Sequence, residues 1–403
     1  MTPYPQALET ILAKVGPLPV ERVPLELAHG RALAADAISN VALPARDNSG
    51  MDGYAVRAAD LERASPDSPV ALRVASRVTA GDAAEVAVEP GQAARIMTGG
   101  ALPPGADAVV MQEDVERNGD EAAFRAAAKP GQYVRRAGDD LRAGAVAVRA
   151  GVPLGASELA LLASLGYTHL AVPRRPRVAL ISTGDEIVEL GRGRETAPTN
   201  KLVDSNAVAL GIRLRKLGAE VVQLGVAPDD PAAIRARFEA ARGCELVVSS
   251  AGVSVGEKDY VKSVLTSLGA VMHLERVAIR PGKPLVFATT PEQFFFGLPG
   301  NPVSSRVTFE LFVRPAVEAL MGIRERPRAI PAALARDFEK PEPLTFFARV
   351  RLAREGERLV ATPMQTQNSN YLSSLVGADG IAVLPAGRGL IRAGEVVEVL
   401  PLE

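Results

Sequence analysis

The chain reads as a multidomain α/β plus β protein, and three features of its pattern say so. Between about residues 176 and 325, short and almost wholly apolar strands alternate with amphipathic helices. That alternation builds a mainly parallel sheet covered on both faces. From Asp47 to about Asp140 the pattern is one of short β-like runs separated by Gly and Pro, as in a small β-rich module. From residue 326 onward, apolar and polar residues alternate with the period of half-buried strands, which predicts a small β-barrel or sandwich. At 403 residues the chain exceeds a single core, and roughly three domains is the starting expectation.

Taken in order, PQALETILAKV (5–15) has helical periodicity and leads into an extended, proline-punctuated piece. VALRVASRV, AARIM and DAVVMQEDV come next as strands, then GASELALLASLG as a helix and THLAVPRRP as a strand ending in a linker. RVALIST opens the α/β portion. VDSNAVALGIRLRKLG is a helix with Asp204 placed to cap it, AEVVQLGV a strand, DDPAAIRARFEAARG a helix and CELVVSSAG a strand. EKDYVKSVLTSLG is again helical; VMHLERVAI, PLVFAT and QFFFGL are strands, and SSRVTFELFVRPAVEALMG closes the series as a helix. The three phenylalanines Phe294–Phe296 fit a strand buried on both faces better than a stacking surface.

Lys plus Arg (46) and Asp plus Glu (47) nearly cancel, for a net charge of −1, so no nucleic-acid footprint is expected. Cys244 is the single cysteine, which excludes an intrachain disulfide and a thiolate metal cluster. His29, His169 and His273 lack the spacing of a zinc site. The first residues carry no apolar core of signal-peptide type, and the apolar stretch around residues 155–172 is broken by Glu158 and several glycines. A cytoplasmic protein that does not enter the membrane is the expectation.

In an open α/β sheet, ligands gather at the carboxyl ends of the strands. Here those ends carry Ser182-Thr183-Gly184-Asp185-Glu186, the run from Ser250 through Gly252, Val253 and Ser254 to Asp259, and the turn GLPGNPVSS (297–305). Arg280-Pro281-Gly282-Lys283-Pro284 precedes PLVFA. Together the four loops supply hydroxyls, closely approachable amides, carboxylates and two cations, a set suited to phosphate-like oxyanions and to a divalent metal. Any one of them alone is as readily an ordinary turn; four in one α/β unit make that account much weaker. The chain has no GxxxxGK[ST] loop, GRGRET does not complete a GxGxxG fingerprint, and no GxSxG elbow occurs, so the familiar phosphate-binding and hydrolase motifs are excluded.

Six blocks, in order, carry a family resemblance: DNSGMDGYAV (47–56), RIMTGGALPPGADAVVMQED (95–114), STGDE (182–186), SAGVSVGEKDY (250–260), IRPGKP (279–284) and GLPGNPVSS (297–305). They resemble the MoeA/gephyrin E-domain family, the molybdopterin molybdenumtransferases. The resemblance implies an elongated four-domain chain: residues 1–45 with 141–175, an inserted β-rich domain at 46–140, a central MogA-like α/β domain at 176–325, and a C-terminal β-barrel at 326–403. It implies a homodimer that inserts molybdate into adenylylated molybdopterin and releases AMP, with Mg2+ involved. It also implies transient contact with molybdopterin adenylyltransferase and molybdoenzyme chaperones.

Carried over position by position, the resemblance makes Asp259, Glu186, Lys283, Arg280 and Asp52 the catalytic candidates, with Glu186 and Asp259 as the metal pair. Asp140 and Asp229 or Asp230 are further acidic candidates. Substrate contacts fall on Thr98, Gly99, Gly100, Ser182, Thr183, Gly184, Asp204, Ser250, Gly252, Val253, Ser254, Pro284, Pro299, Gly300, Asn301, Pro302 and Ser304. Arg349, Ser369 and Lys283 are the molybdate candidates; read without the resemblance, Arg349 would be an exposed strand residue. Arg280 departs from the lysine that the family also shows there: a guanidinium fork binds bidentately where an ammonium acts as a point charge. Two other activities stay open from sequence: a non-catalytic dimeric scaffold on the same domain, and the sister adenylylation of molybdopterin.

Overall fold

The computed structural model describes residues 1–191, 201–253, 260–325 and 329–402. The chain divides into two compact units, one of Met1–Ala35, Ala150–Leu159 and Thr168–Glu403, the other of Asp36–Arg149 and Ala160–Tyr167.

The smaller unit is built on six strands: β1 (Gly53–Val56), β2 (Val70–Val78), β3 (Gln92–Ile96), β4 (Ala108–Met111), β5 (Val115–Asn118) and β6 (Glu121–Phe124), in the order β4-β1-β3-β2-β6-β5. Only β2 and β3 pair in parallel. Successive residues alternate between two apolar cores. Tyr54, Val56, Leu72 and Phe124 fill one side; Ala55, Val78, Ile96 and Val109 fill the other. The short runs read from the sequence therefore form one sheet.

In the larger unit the helix Tyr4–Leu12 and a ribbon of Val20–Pro24 against His169–Pro173 lead to the central α/β layer. Its elements are β7 (Arg177–Thr183), α1 (Ser205–Lys216), β8 (Glu220–Ala227), α2 (Pro231–Ala240), β9 (Leu246–Ser250), α3 (Tyr260–Ser267), β10 (Val271–Arg276), β11 (Pro284–Thr289) and β12 (Phe294–Leu298). The sheet runs β8-β7-β9-β12-β11-β10, parallel from β8 to β12 and antiparallel beyond. Phe296, Val248 and Leu180 face one core while Phe295, Val247 and Ile181 face the other, so the phenylalanines serve both faces.

The run VMHLERVAI does not continue as one strand. β10 stops at Arg276, and Ile279–Arg280 pairs instead with Thr345 and Phe346 in the C-terminal sheet. That sheet consists of β13 (Ile330–Leu334), β14 (Thr345–Glu355), β15 (Arg358–Pro363), β16 (Gly380–Leu384) and β17 (Val396–Pro401). The order β14-β15-β13-β17-β16 closes through β14–β16 pairing into a five-stranded barrel. Closure leaves no unpaired edge. Phe346 and Val350 point into the barrel, whereas Phe347 packs with Tyr4 and Phe312 in the central core.

Between sheet and barrel runs a buried helical block, α4 (Pro302–Thr308) and α5 (Arg314–Leu320) joined by a π-turn at Phe309–Val313. The π-turn holds Glu310, 2 % exposed, among three arginines. Its carboxylate accepts from Arg213 Nε at 3.0 Å and from Arg306 Nη1 at 2.5 Å, and Arg314 Nε lies 3.5 Å away. Arg306 also donates to the carbonyl of Leu402 at 3.3 Å, joining the block to the end of the barrel. Deleting one member of a buried charge network leaves the others uncompensated. Glu310→Ala is therefore expected to destabilise this unit by about 3–5 kcal/mol, read as a drop in its urea midpoint; a loss below about 1 kcal/mol would show that the arginines are adequately satisfied without it.

Candidate active site

Parallel register brings the candidate loops to one edge. Ser182 on β7 is level with Ser250 on β9, and Ser250 is level with Leu298 on β12. The loops leaving these strands, Gly184–Glu186, Ala251–Val253 and Pro299–Asn301, therefore open on the same side. Together with the start of α1 they line a cavity of about 760 Å3, which includes Ser182, Thr183, Glu186, Asp204, Asn206, Ser250, Gly252, Val253, Pro284, Pro299, Gly300, Asn301, Pro302 and Ser304, whereas Gly184, expected as a contact, does not line it. The hydroxyls of Ser182 and Thr183 are buried and have no hydrogen-bond partner among the described residues. Such groups are costly unless a ligand or water satisfies them.

Glycine is needed here for space as well as for conformation. Gly252 has φ +70°, and a Cβ on it would lie 2.7 Å from both Thr183 Oγ1 and Val261 Cγ2. Gly282, at φ +99°, faces Thr308 Cγ2, which would lie 2.4 Å from an added Cβ. Each turn is thus packed directly onto the core that supports it.

The two expected cations do not line this cavity. Arg280 and Lys283 line an adjoining recess of about 950 Å3, walled by Ile279–Pro284, Phe338, Phe346 and Gln367–Ser369. Pro284 and Ser304 border both spaces, so these are neighbouring lobes. The Arg280 guanidinium stands 5.8 Å over the Phe346 ring, a cation–π placement that holds it against the recess wall. The pairing of Ile279–Arg280 with the barrel explains the separation: the turn carrying both cations has left the central sheet.

Arg349 is not an exposed strand residue. It is 0 % exposed, and burial pushes its guanidinium down to about 10, leaving it charged at neutral pH. Nη2 donates to the carbonyls of Thr366 (3.1 Å) and Asn368 (3.3 Å), while Nε and Nη1 have no partner among the described residues. It thus stands behind the segment that carries Ser369. From the other direction, Asn301 Nδ2 donates to Ser369 Oγ at 3.4 Å and the Val303 amide to the Ser369 carbonyl at 3.2 Å. Asn301, instead of capping its own helix, ties the strand-end turn to the barrel.

The acidic candidates separate. Glu186 lines the cavity. Asp259 and Ser254 lie outside the described residues. Asp204 caps α1 by accepting from the Ala207 amide at 2.9 Å and also borders the cavity; Asp230 caps α2 through the Ala233 amide at 2.8 Å. Asp185 and Asp229 exchange amide-to-carboxylate bonds of 3.1 and 3.3 Å across the ends of β7 and β8. Among the described residues no three His, Cys, Asp or Glu side chains group as metal ligands. Glu186 still offers the hard oxygen chemistry that Mg2+ takes from one or two carboxylates while phosphates and water complete its shell.

Asp52, Thr98, Gly99, Gly100 and Asp140 belong to the smaller unit. There Asp52 Oδ1 accepts from the Thr98 amide and hydroxyl, each at 2.7 Å, and the amide bond first, then the hydroxyl bond, hold the carboxylate below its ordinary range.

One residue that carried no signal in the sequence is central. Asn206, two places after the Asp204 cap, donates from Nδ2 to Ser250 Oγ at 2.7 Å and to the Gly300 carbonyl at 2.8 Å. The motif VDSN offered only Asp204 as a local signal; Asn206 gains its meaning from two loops distant in sequence.

The fold and the two lobes define a class: an α/β protein with a cation-lined recess completed by a C-terminal barrel. Family models narrow it. Residues 2–166 match the MoeA N-terminal region (domain I and II), 179–319 a probable molybdopterin binding domain, and 331–402 the MoeA C-terminal region (domain IV). A molybdopterin molybdenumtransferase of Synechococcus elongatus is 40% identical over 99% of both chains, and one of Haemophilus influenzae is 37% identical over 96% of this chain and 94% of its own. A crystal structure of a MoeA molybdopterin biosynthesis protein from Pyrococcus horikoshii matches with a TM-score of 0.85 at 30% identity, over 99% of each chain. The chain belongs to the MoeA family of molybdopterin molybdenumtransferases.

The Asp52 contact carries its own check. A carboxylate whose value is lowered by folding contributes at neutral pH and loses that contribution as pH falls through the lowered value. Exchange of the Thr98 amide is expected to be slow at pH 7, and roughly tenfold faster in Asp52→Ala, the equivalent of one hydrogen bond. Equal rates in the two proteins would remove Asp52 as the holder of that loop.

Proposed function

We propose that this chain inserts molybdate into adenylylated molybdopterin and releases AMP, and that the two adjoining lobes divide the work. The observation that carries the reading is their shared border at Pro284 and Ser304 in a chain of this family. It puts a hydroxyl-rich cavity beside a cationic recess. The cavity takes the adenylylated molybdopterin, with Ser182, Thr183, Ser250 and the Gly300–Ser304 turn toward its phosphates and pterin. The recess takes molybdate, with Lys283, Arg280 and Ser369 toward its oxygens and Arg349 setting the position of the Ser369 segment.

The reaction makes two bond changes. At molybdenum, two thiols of the dithiolene replace one oxygen, which leaves as water with both thiol protons, so the metal stays hexavalent. At the phosphoanhydride, water adds to phosphorus, the bridging P–O bond breaks, AMP leaves and a proton is released. Lys283 and Arg280 stabilise charge on the oxyanion, and buried hydroxyl donors do so where phosphate charge shifts. Mg2+, held by Glu186 with Asp259, would neutralise phosphate charge and favour departure of AMP. Thr98, Gly99 and Gly100 are further ligand contacts in this reading. The chain works as a cytoplasmic homodimer of four domains, downstream of the adenylyltransferase and upstream of molybdoenzyme chaperones.

Purified protein given adenylylated molybdopterin and molybdate is expected to release AMP and to reconstitute a cofactor-free molybdoenzyme. Lys283→Ala should lower the rate by about 10²- to 10³-fold, the usual cost of one oxyanion-stabilising group. No AMP from the wild type would overturn the reading. Adenylylation of molybdopterin from ATP would point to the sister activity, and a stable dimer without turnover would point to a scaffold.

A further inference from the structure

The Asn206 carboxamide joins three loops that share no sequence neighbourhood: the first turn of α1, the end of β9 and the Gly300 turn. Its orientation is unambiguous. The Gly300 carbonyl can only accept, so the atom facing it must be Nδ2, and the second Nδ2 proton goes to Ser250 Oγ. That direction decides what Ser250 can do. Its oxygen accepts from Asn206, which leaves the O–H available to donate, and among the described residues that proton has no acceptor. Ser250 is 2 % exposed and lines the cavity beside the hydroxyls of Ser182 and Thr183, which have no partner among the described residues.

We infer that Asn206 is a positioning residue: it turns the Ser250 hydroxyl proton toward an oxygen of the bound phosphate ester and fastens the Gly300 turn as the opposite wall. The ligand's identity rests on the function proposed above; the fastening does not. One amide enforces both effects. Replacing it with a carboxylate reverses the polarity. Asn206→Asp would accept the Ser250 proton and withdraw it from the cavity, while presenting an oxygen to the oxygen of Gly300. Size and shape would be unchanged.

Four variants test this: Asn206→Ala, Asn206→Asp, Ser250→Ala and the Asn206→Ala/Ser250→Ala double. Without ligand, backbone amide exchange over residues 297–305 should quicken by roughly tenfold or more in both Asn206 variants and stay at the wild-type rate in Ser250→Ala, since one hydrogen bond to Gly300 is lost only in the former. With adenylylated molybdopterin, KM should rise by about 10- to 100-fold in each single variant, more than kcat falls, as for loss of a hydrogen bond to a charged oxygen. The double variant should be no worse than the poorer single one, because residues acting through one contact are not additive. Unchanged exchange in Asn206→Ala, or losses that multiply in the double variant, would overturn the assignment. Wild type that releases no AMP would overturn the phosphate-ester ligand and the functional reading together; the exchange result would still decide the fastening.

Discussion

Three parallel strands end at the same height, and the site depends on that register. β7, β9 and β12 pair side by side with Ser182, Ser250 and Leu298 in line, so three sequence-distant loops open at one edge. The register is held because the strands are buried on both faces: a slip of one residue would exchange Phe295 with Phe296 and Val247 with Val248 between two cores of different shape. The polar loops contribute chemistry but do not choose their position. The apolar strands beneath them do.

The barrel converts that edge into two lobes. Ile279–Arg280 departs from the central layer to pair with β14, and the turn carrying Lys283 goes with it. Cations are thereby held apart from the acid-bearing cavity, close enough to border it through Pro284 and Ser304 but not so close that Glu186 lines the same space. Segment 366–369 closes the arrangement. Arg349, on the outer face of barrel strand β14, holds it from one side and Asn301 from the helical block, so each lobe has a wall fixed by the other's scaffold. Glu310 and its arginines stabilise the block that carries Asn301 and Ser304, with a charge network that only a fully formed core can satisfy.

Much of this was readable in the residues. RVALIST, CELVVSSAG and QFFFGL announced buried strands because nothing else explains short apolar runs flanked by helices, and Asp204 announced a helix start by its place at the head of a helical period. The family blocks named the loops. Three things were not readable. Arg349 looked like an exposed strand residue because alternation gives a side chain's face but not whether another layer covers that face, as the central core covers the outer face of β14. Arg280 and Lys283 were grouped with the strand-end loops of the α/β unit as one site, since pairing partners far along the chain leave no local trace. Asn206 carried no signal because both of its acceptors come from other loops.

The sequence by itself determined the layer type, the order of elements, the absence of an intrachain disulfide and the family, because hydrophobic period, glycine and proline placement and motif blocks are local properties. Tertiary structure alone decided which hydroxyls remain without partners among the described residues, that the cations occupy a lobe of their own, and that Asn206 reaches both Ser250 and Gly300. Those depend on distances between segments far apart in the chain, and strand register and barrel closure set such distances only when the whole core is assembled.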